Sequence, residues 1–322
     1  ILILSAIVIG NAAYEAGNIS GGVLGLETVF GSPKLKLGDF SINSYSLIIG
    51  VIAFALLYIG NYKVLEKTLI SLVIIMSLSF LITAIVTKPD LIAVFKGLFN
   101  FEAPKGSLLT VIGLIGTTVV PYNLFLHSYL VKEKWQKTSD LKFAVRDTYI
   151  AVILGGIVSI SIIISAAAIQ SKEINSAVDL AQALEPLFGS FSKYFLGIGL
   201  FAAGITSAIT APLAAAYVAN GCLGWNIGLR SFKFRFVWIF ILGLGVLFSS
   251  IGFKSIEIIK FAQVANGLLL PLIAEILIWI MNKSSILGVN KNTKIKNIIG
   301  LLILAVTLFL GTKSILGVFN LL

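Results

Sequence analysis

The sequence predicts an all-α, polytopic membrane protein, and three observations carry that expectation. The chain of 322 residues is 58% hydrophobic and only 12% charged, with a mean hydropathy of +1.03. A soluble protein of this size needs far more charge to cover its surface. Apolar runs of about 20 residues, the length that crosses a bilayer as a helix, recur along the whole sequence. One such run is interrupted near its middle by Pro121, in Thr117-Thr118-Val119-Val120-Pro121-Tyr122-Asn123-Leu124-Phe125-Leu126-His127. Proline donates no backbone hydrogen bond and clashes with the carbonyl one turn earlier. A helix broken at membrane depth frees carbonyls that lipid cannot satisfy, so such breaks line polar cavities, typically substrate or ion sites.

Nine spans are expected, near 2–30, 43–61, 66–87, 107–131, 147–171, 190–219, 233–252, 255–282 and 296–320. Gly31-Ser32-Pro33 reads as a short connector, and 88–106 and 132–146 as the long polar linkers. A single integral membrane domain, 1–322, is the simplest organisation. Residue 1 already lies inside an apolar run, so the expectation is that a native N-terminal part precedes it. The lone Cys222 excludes an internal disulfide and any cysteine metal cluster. The net charge of +10 sits in short loops, which points to membrane orientation rather than nucleic acid. Alternation of sides places 14 of the 24 basic residues, including Arg146, Arg230 and Arg235, on one side. The positive-inside rule makes that side cytoplasmic, and the expected location is the plasma membrane.

Polar side chains at membrane depth mark the candidate pathway. In the first span Asn11, Glu15 and Asn18 share one helical face beside Tyr14. An intramembrane carboxylate faces a bundle interior, paired, protonated or lining a route. In the fourth span Thr117 and Thr118 precede the break, while Asn123 and His127, the only histidine, lie four apart on one face. The eighth span carries Gln263, Asn266 and a second proline, Pro271; amide oxygens are hard, neutral ligands for cations. The sixth span, Ala202-Ala203-Gly204-Ile205-Thr206-Ser207-Ala208-Ile209-Thr210-Ala211-Pro212, reads mainly as close packing of small residues. No phosphate-binding loop, paired-histidine zinc motif or nucleophile elbow is present. An enzyme is not expected, and no cofactor.

The run Gly116–Ser128 resembles the sixth helix of the NRAMP divalent-metal transporters, a Met-Pro-His-Asn motif followed by Leu-Tyr-Leu-His-Ser. Similar likenesses run along the chain: Ile9–Phe30 to the family's third helix, Asn61–Asp90 to its fifth, Ala202–Gly221 to its eighth and Phe261–Pro271 to its tenth. The resemblance implies a leucine-transporter-type inverted-repeat fold, with this chain covering family helices three to eleven and lacking the native first two. It implies transport of divalent cations such as manganese, iron or magnesium by alternating access. Thr117, through its carbonyl, with Asn123 and Gln263 would hold the metal. Asn11, Tyr14, Glu15, Val120, Pro121, Tyr122, His127 and Asn266 would serve the pathway or its gating. The first family helix, which normally supplies an aspartate and an asparagine to the metal, lies outside this sequence.

Three departures from the family pattern bear on selectivity. Val120 stands where the motif has a metal-binding methionine, and loss of a soft thioether favours harder ions such as magnesium or manganese. Tyr122 replaces the motif's histidine. Asn11 and Tyr14 occupy positions where proton-coupled members, which are symporters, carry aspartate and glutamate, leaving a proton or no coupling ion at all. Two other readings stand beside metal transport: a carrier of small organic solutes such as amino acids on the same fold, and a non-transporting membrane scaffold or sensor.

Overall fold

In the computed structural model, residues 2–31, 34–37, 40–100, 107, 121–135, 137–167, 179, 181, 185, 189–251 and 255–318 are described. Helices lie in the expected spans, the fourth being described only from Pro121: α1 (Leu2–Phe30), α2 (Ser44–Ile59), α3 (Tyr62–Val86), α5 (Pro121–Lys134), α6 (Leu141–Ala167), α7 (Ser192–Cys222), α8 (Phe232–Ser250), α9 (Ser255–Met281) and α11 (Lys294–Val318). Two short helices join them, α4 (Leu91–Leu98) and α10 (Ser284–Leu287). Among the described residues α3, α6, α7 and α8 are each long and apolar enough to cross a membrane. Leu270–Met281 and Ser284–Asn290 form a further apolar pair, bent by 64° at the break between them.

Helix ends are set by caps rather than by the edge of the apolar run. The side chain of Asn61 accepts a hydrogen bond from the Lys63 amide and starts α3 ahead of the expected residue 66. Likewise α6 begins at Leu141, six residues before the expected 147, and carries Lys142 and Arg146 in its first turns. Asn43 caps α2 and also donates its amide to Glu27 Oε1 at 2.9 Å, tying that cap to the end of α1. Gly60 closes α2 in the left-handed region, at φ 58, where a side chain would be strained.

Two connectors differ from their sequence reading. Lys34–Leu37 and Phe40–Asn43 form an antiparallel two-stranded ribbon, β1 and β2, with Lys34 opposite Asn43 and Leu37 opposite Phe40. The linker after Lys88 folds into α4, capped by Asp90, whose carboxylate accepts from the amides of Ile92 and Ala93.

Helix α7 is the hub: 61% of its most apolar window is buried, against 17% for α6. Its broadest partner is α1, which also packs on α8 and α9, while α3, α5 and α2 lie against other faces of α7. The core joins Ile19 and Val23 of α1, Ile49 and Ala53 of α2, Ile205, Ala208 and Ile209 of α7, and Phe234 and Trp238 of α8. By contrast α6 exposes Tyr149, Val152, Ile153, Leu154 and Ile163. A rim of exposed large apolar side chains around a close-packed hub is what a lipid-facing surface requires.

The α1–α7 seam is built from glycine. A Cβ on Gly204 would overlap the backbone of Gly22, and one on Gly25 would overlap the Phe201 backbone. Gly197 approaches the Gly25 carbonyl, at 2.8 Å from its would-be Cβ. Small residues let the two backbones touch. Gly21, which the sequence also offers for close approach, has open space around it.

Candidate functional site

The polar face of α1 is buried against α7. Asn11 is 3% exposed and donates its amide to the Ala211 carbonyl at 3.0 Å. Asn18 donates to Glu15 Oε2 at 3.0 Å and to the Ser207 carbonyl at 3.2 Å. Glu15 is fully buried, and its other oxygen, Oε1, has no hydrogen-bond partner among the described residues. Helix α8 comes so close there that a Cβ on Gly245 would overlap the Glu15 side chain. A carboxyl group enclosed this way, half satisfied, is costly to bury.

Helix α5 is described from Pro121 onward. Thr117 and Val120 lie outside the described residues. Tyr122 and Leu126 are buried against the core, at 3% and 5% exposure. Tyr122 packs on Tyr14 of α1, ring centroids 5.8 Å apart and tilted by 60°, with Asn18 and Thr210 beside its hydroxyl. Asn123 and His127 are both exposed on another face of α5, which is the shared face their spacing predicts. His127 Nε2 lies 3.1 Å from the Thr148 hydroxyl at the start of α6. Glu66 of α3, His127, Asp147 of α6 and Thr210 of α7 line one cavity of about 320 Å³ alongside α5. Among the described residues no group of three or more His, Cys, Asp or Glu side chains is placed to hold a metal ion. A cation site here would have to draw on amides and main-chain carbonyls.

Gln263 and Asn266 lie within α9, which runs unbroken past Pro271 as one assigned helix. Their side chains lie outside the described residues. Sequence reasoning missed Ser207 and Thr210, because the small residues around them signal packing. Their i, i+3 spacing on a span that also carries Thr206 was the available clue. Missed too was a polar knot on the far side of α1, where Ser20, Ser46 and Ser249 join three helices. The Ser46 and Ser249 hydroxyls are 2.9 Å apart, and Ser20 donates to Ser249 Oγ at 3.2 Å.

A bundle of long apolar helices around a buried polar seam defines a multi-pass membrane protein of the solute-carrier class. The family model for natural resistance-associated macrophage protein-like proteins matches residues 1–317. The chain belongs to that family. It is 26% identical over 311 residues to the divalent metal cation transporter MntH of Caldanaerobacter subterraneus subsp. tengcongensis, covering 93% of this chain and 71% of that one. It is 27% identical over 314 residues to the protein of the same name from Bacillus subtilis, covering 92% and 71%. A crystal structure of the manganese transporter of Eremococcus coleocola superposes with a TM-score of 0.71 at 19% identity, covering 99% of this chain and 72% of that one. The architecture is therefore the helical inverted-repeat fold of the leucine-transporter type.

Proposed function

We propose that this protein is a secondary transporter that moves divalent metal cations across the membrane by alternating access. The observation that carries the reading is the family match along 1–317, combined with relatives named as divalent metal cation transporters. Supporting it, Asn123 and His127 share an open face of α5, and a cavity with two carboxylates runs beside that helix. The Thr117 carbonyl, the Asn123 amide oxygen and the Gln263 amide oxygen would hold the ion. These are hard oxygen donors, and with Val120 in place of a thioether they suit magnesium or manganese. The whole chain, 1–322, would act as one membrane-embedded unit in contact with the bilayer.

The test is uptake of manganese and magnesium into liposomes holding the purified protein. Saturable uptake that protein-free liposomes lack is the expected result; its absence for every divalent ion tried would end the proposal. Val120→Met should lower KM for cadmium roughly tenfold, the scale of ~1.4 kcal/mol for one added soft ligand, with manganese little changed. An unaltered cadmium KM would remove residue 120 from the site.

Transport here would not draw on a proton gradient through α1. Asn11 and Tyr14 are not acids of the carboxylate type, Tyr122 replaces a histidine, and Glu15 is enclosed by Asn18 and the α8 backbone. Acidifying the outside of the liposomes should leave initial manganese uptake unchanged, both in the parent and in Glu15→Gln. If uptake climbed with external acidity in the parent and that response vanished in Glu15→Gln, Glu15 would be the proton carrier.

A further inference from the structure

A second cavity contains none of the proposed cation ligands Thr117, Asn123 and Gln263 in its described lining. It is an open cleft of about 790 Å³ walled by Tyr129, Lys132 and Trp135 at the end of α5, by Tyr217 and Asn220 of α7, and by the 226–230 loop. Lys132 and Arg230 supply its charge, and among the described residues no acid lines it. Neither cation makes a salt bridge or hydrogen bond among those residues, so both are available to a ligand. The neighbouring cavity differs in holding two acids, Glu66 and Asp147, beside His127 and Lys134. A space presenting two free cations repels metal ions and attracts anions.

The walls are also fixed in place. Asn220 clamps the loop by accepting from the Ile227 amide and donating to the Ile227 carbonyl, each at 3.1 Å. Asn226 sits in the left-handed region at φ 50, which asparagine tolerates better than most residues. The Arg230 stem lies over Gly60, 3.0 Å from where a Cβ would stand. Opposite, Tyr129 and Tyr217 stack with centroids 5.1 Å apart, and the Lys134 ammonium covers the Trp135 ring at 4.7 Å. All these elements lie on the more basic side of the bundle, at the ends of spans. Basic pockets between helix ends at that level suit phosphate headgroups, with aromatic rings at the interface.

We infer that this cavity is a binding site for a phosphate-bearing anion, held by Lys132 and Arg230 and flanked by the aromatic wall of Tyr129, Trp135 and Tyr217. The phosphate arrives either on an anionic lipid of the adjoining leaflet or as a soluble phosphate compound. The inference uses none of the proposed cation ligands, and it stands or falls independently of the cargo.

The experiment compares the parent protein, the double variant Lys132→Gln/Arg230→Gln and a charge-matched control, Lys67→Gln/Lys142→Gln, whose residues do not line the cavity. Each is placed in phosphatidylcholine nanodiscs with 20 or so mol% phosphatidylglycerol, a composition chosen to give the membrane an anionic surface of the kind basic pockets read, and retained lipid is counted by native mass spectrometry. In parallel, inorganic phosphate is titrated against each protein in pure phosphatidylcholine discs, following Trp fluorescence. Removing two cations at about tenfold or less apiece should weaken binding by roughly 30-fold in the cavity variant and leave the control unchanged. Selective loss of phosphatidylglycerol assigns the lipid as source; selective loss of the inorganic phosphate response assigns a soluble phosphate. Equal behaviour of cavity variant and control in both arms overturns the site. Circular dichroism and size-exclusion profiles matching the parent establish that the variant is folded, and Lys132→Arg should restore binding where Lys132→Gln loses it.

Discussion

Gly204→Val is expected to abolish uptake and to lower the melting temperature of the protein sharply. Gly204 meets Gly22 backbone to backbone across the α1–α7 seam, and the Asn18 carbonyl stands 3.0 Å from the position of a Cβ. None of these atoms belongs to a flexible side chain that could swing aside. Adding even one methyl forces the two helices apart, and overpacking of this kind costs about 3 kcal/mol. The same movement stretches the bonds that cross the seam, Asn18 to the Ser207 carbonyl at 3.2 Å and Asn11 to the Ala211 carbonyl at 3.0 Å. Both would lengthen beyond useful geometry, leaving the Asn11 amide unpaired and Asn18 with only its bond to Glu15, at about 1–3 kcal/mol for each lost partner. Gly204→Ala should lie between parent and valine variant. Gly156 in α6 is the control, since nothing lies within 4 Å of its would-be Cβ. Gly156→Ala should leave melting and uptake unchanged or slightly improved. Thermal melts of the detergent-solubilised variants decide it: if Gly204→Val melted with Gly156→Ala, the close-packed seam would not be what holds these helices together.

The spans were legible because hydropathy reports burial in lipid directly, while the helix starts were not. Asn61 and the basic first turns of α6 extend helices into the interface, where no apolar run marks them. The β-ribbon was written in the Lys-Leu-Lys-Leu alternation of 34–37, but four residues are too few to outweigh a Gly-Ser-Pro connector beside them. Of the site, the shared face of Asn11, Glu15 and Asn18 and that of Asn123 and His127 followed from helical spacing alone. What spacing cannot reveal is which residues of another helix meet that face. Ser207 enters through its carbonyl, a group every residue carries, so no side-chain pattern announces it. The same holds for Gly22 and Gly25, which touch α7, and Gly21, which does not: their difference is a matter of rotation about the helix axis.

Asn123→Ala is expected to reduce kcat/KM for manganese by at least about tenfold, the lower end of what loss of a metal-positioning group costs. The substitution is informative because fold and function separate at this position. Asn123 is exposed while its neighbour Tyr122 holds α5 to the core through Tyr14. Truncation to alanine therefore leaves no cavity and strands no buried partner, and exposed changes of this sort shift stability by about 0.5 kcal/mol or less. Alanine also favours the helix more than asparagine does. A loss of uptake at unchanged melting temperature would then report the amide oxygen itself. Asn123→Asp supplies the discriminating partner: it keeps an oxygen at the same place and adds charge, so it should retain manganese uptake and bind the ion at least as tightly. Should alanine transport as well as asparagine, the open face of α5 would be a wall of the route, and the ligands would have to be sought among main-chain carbonyls and α9.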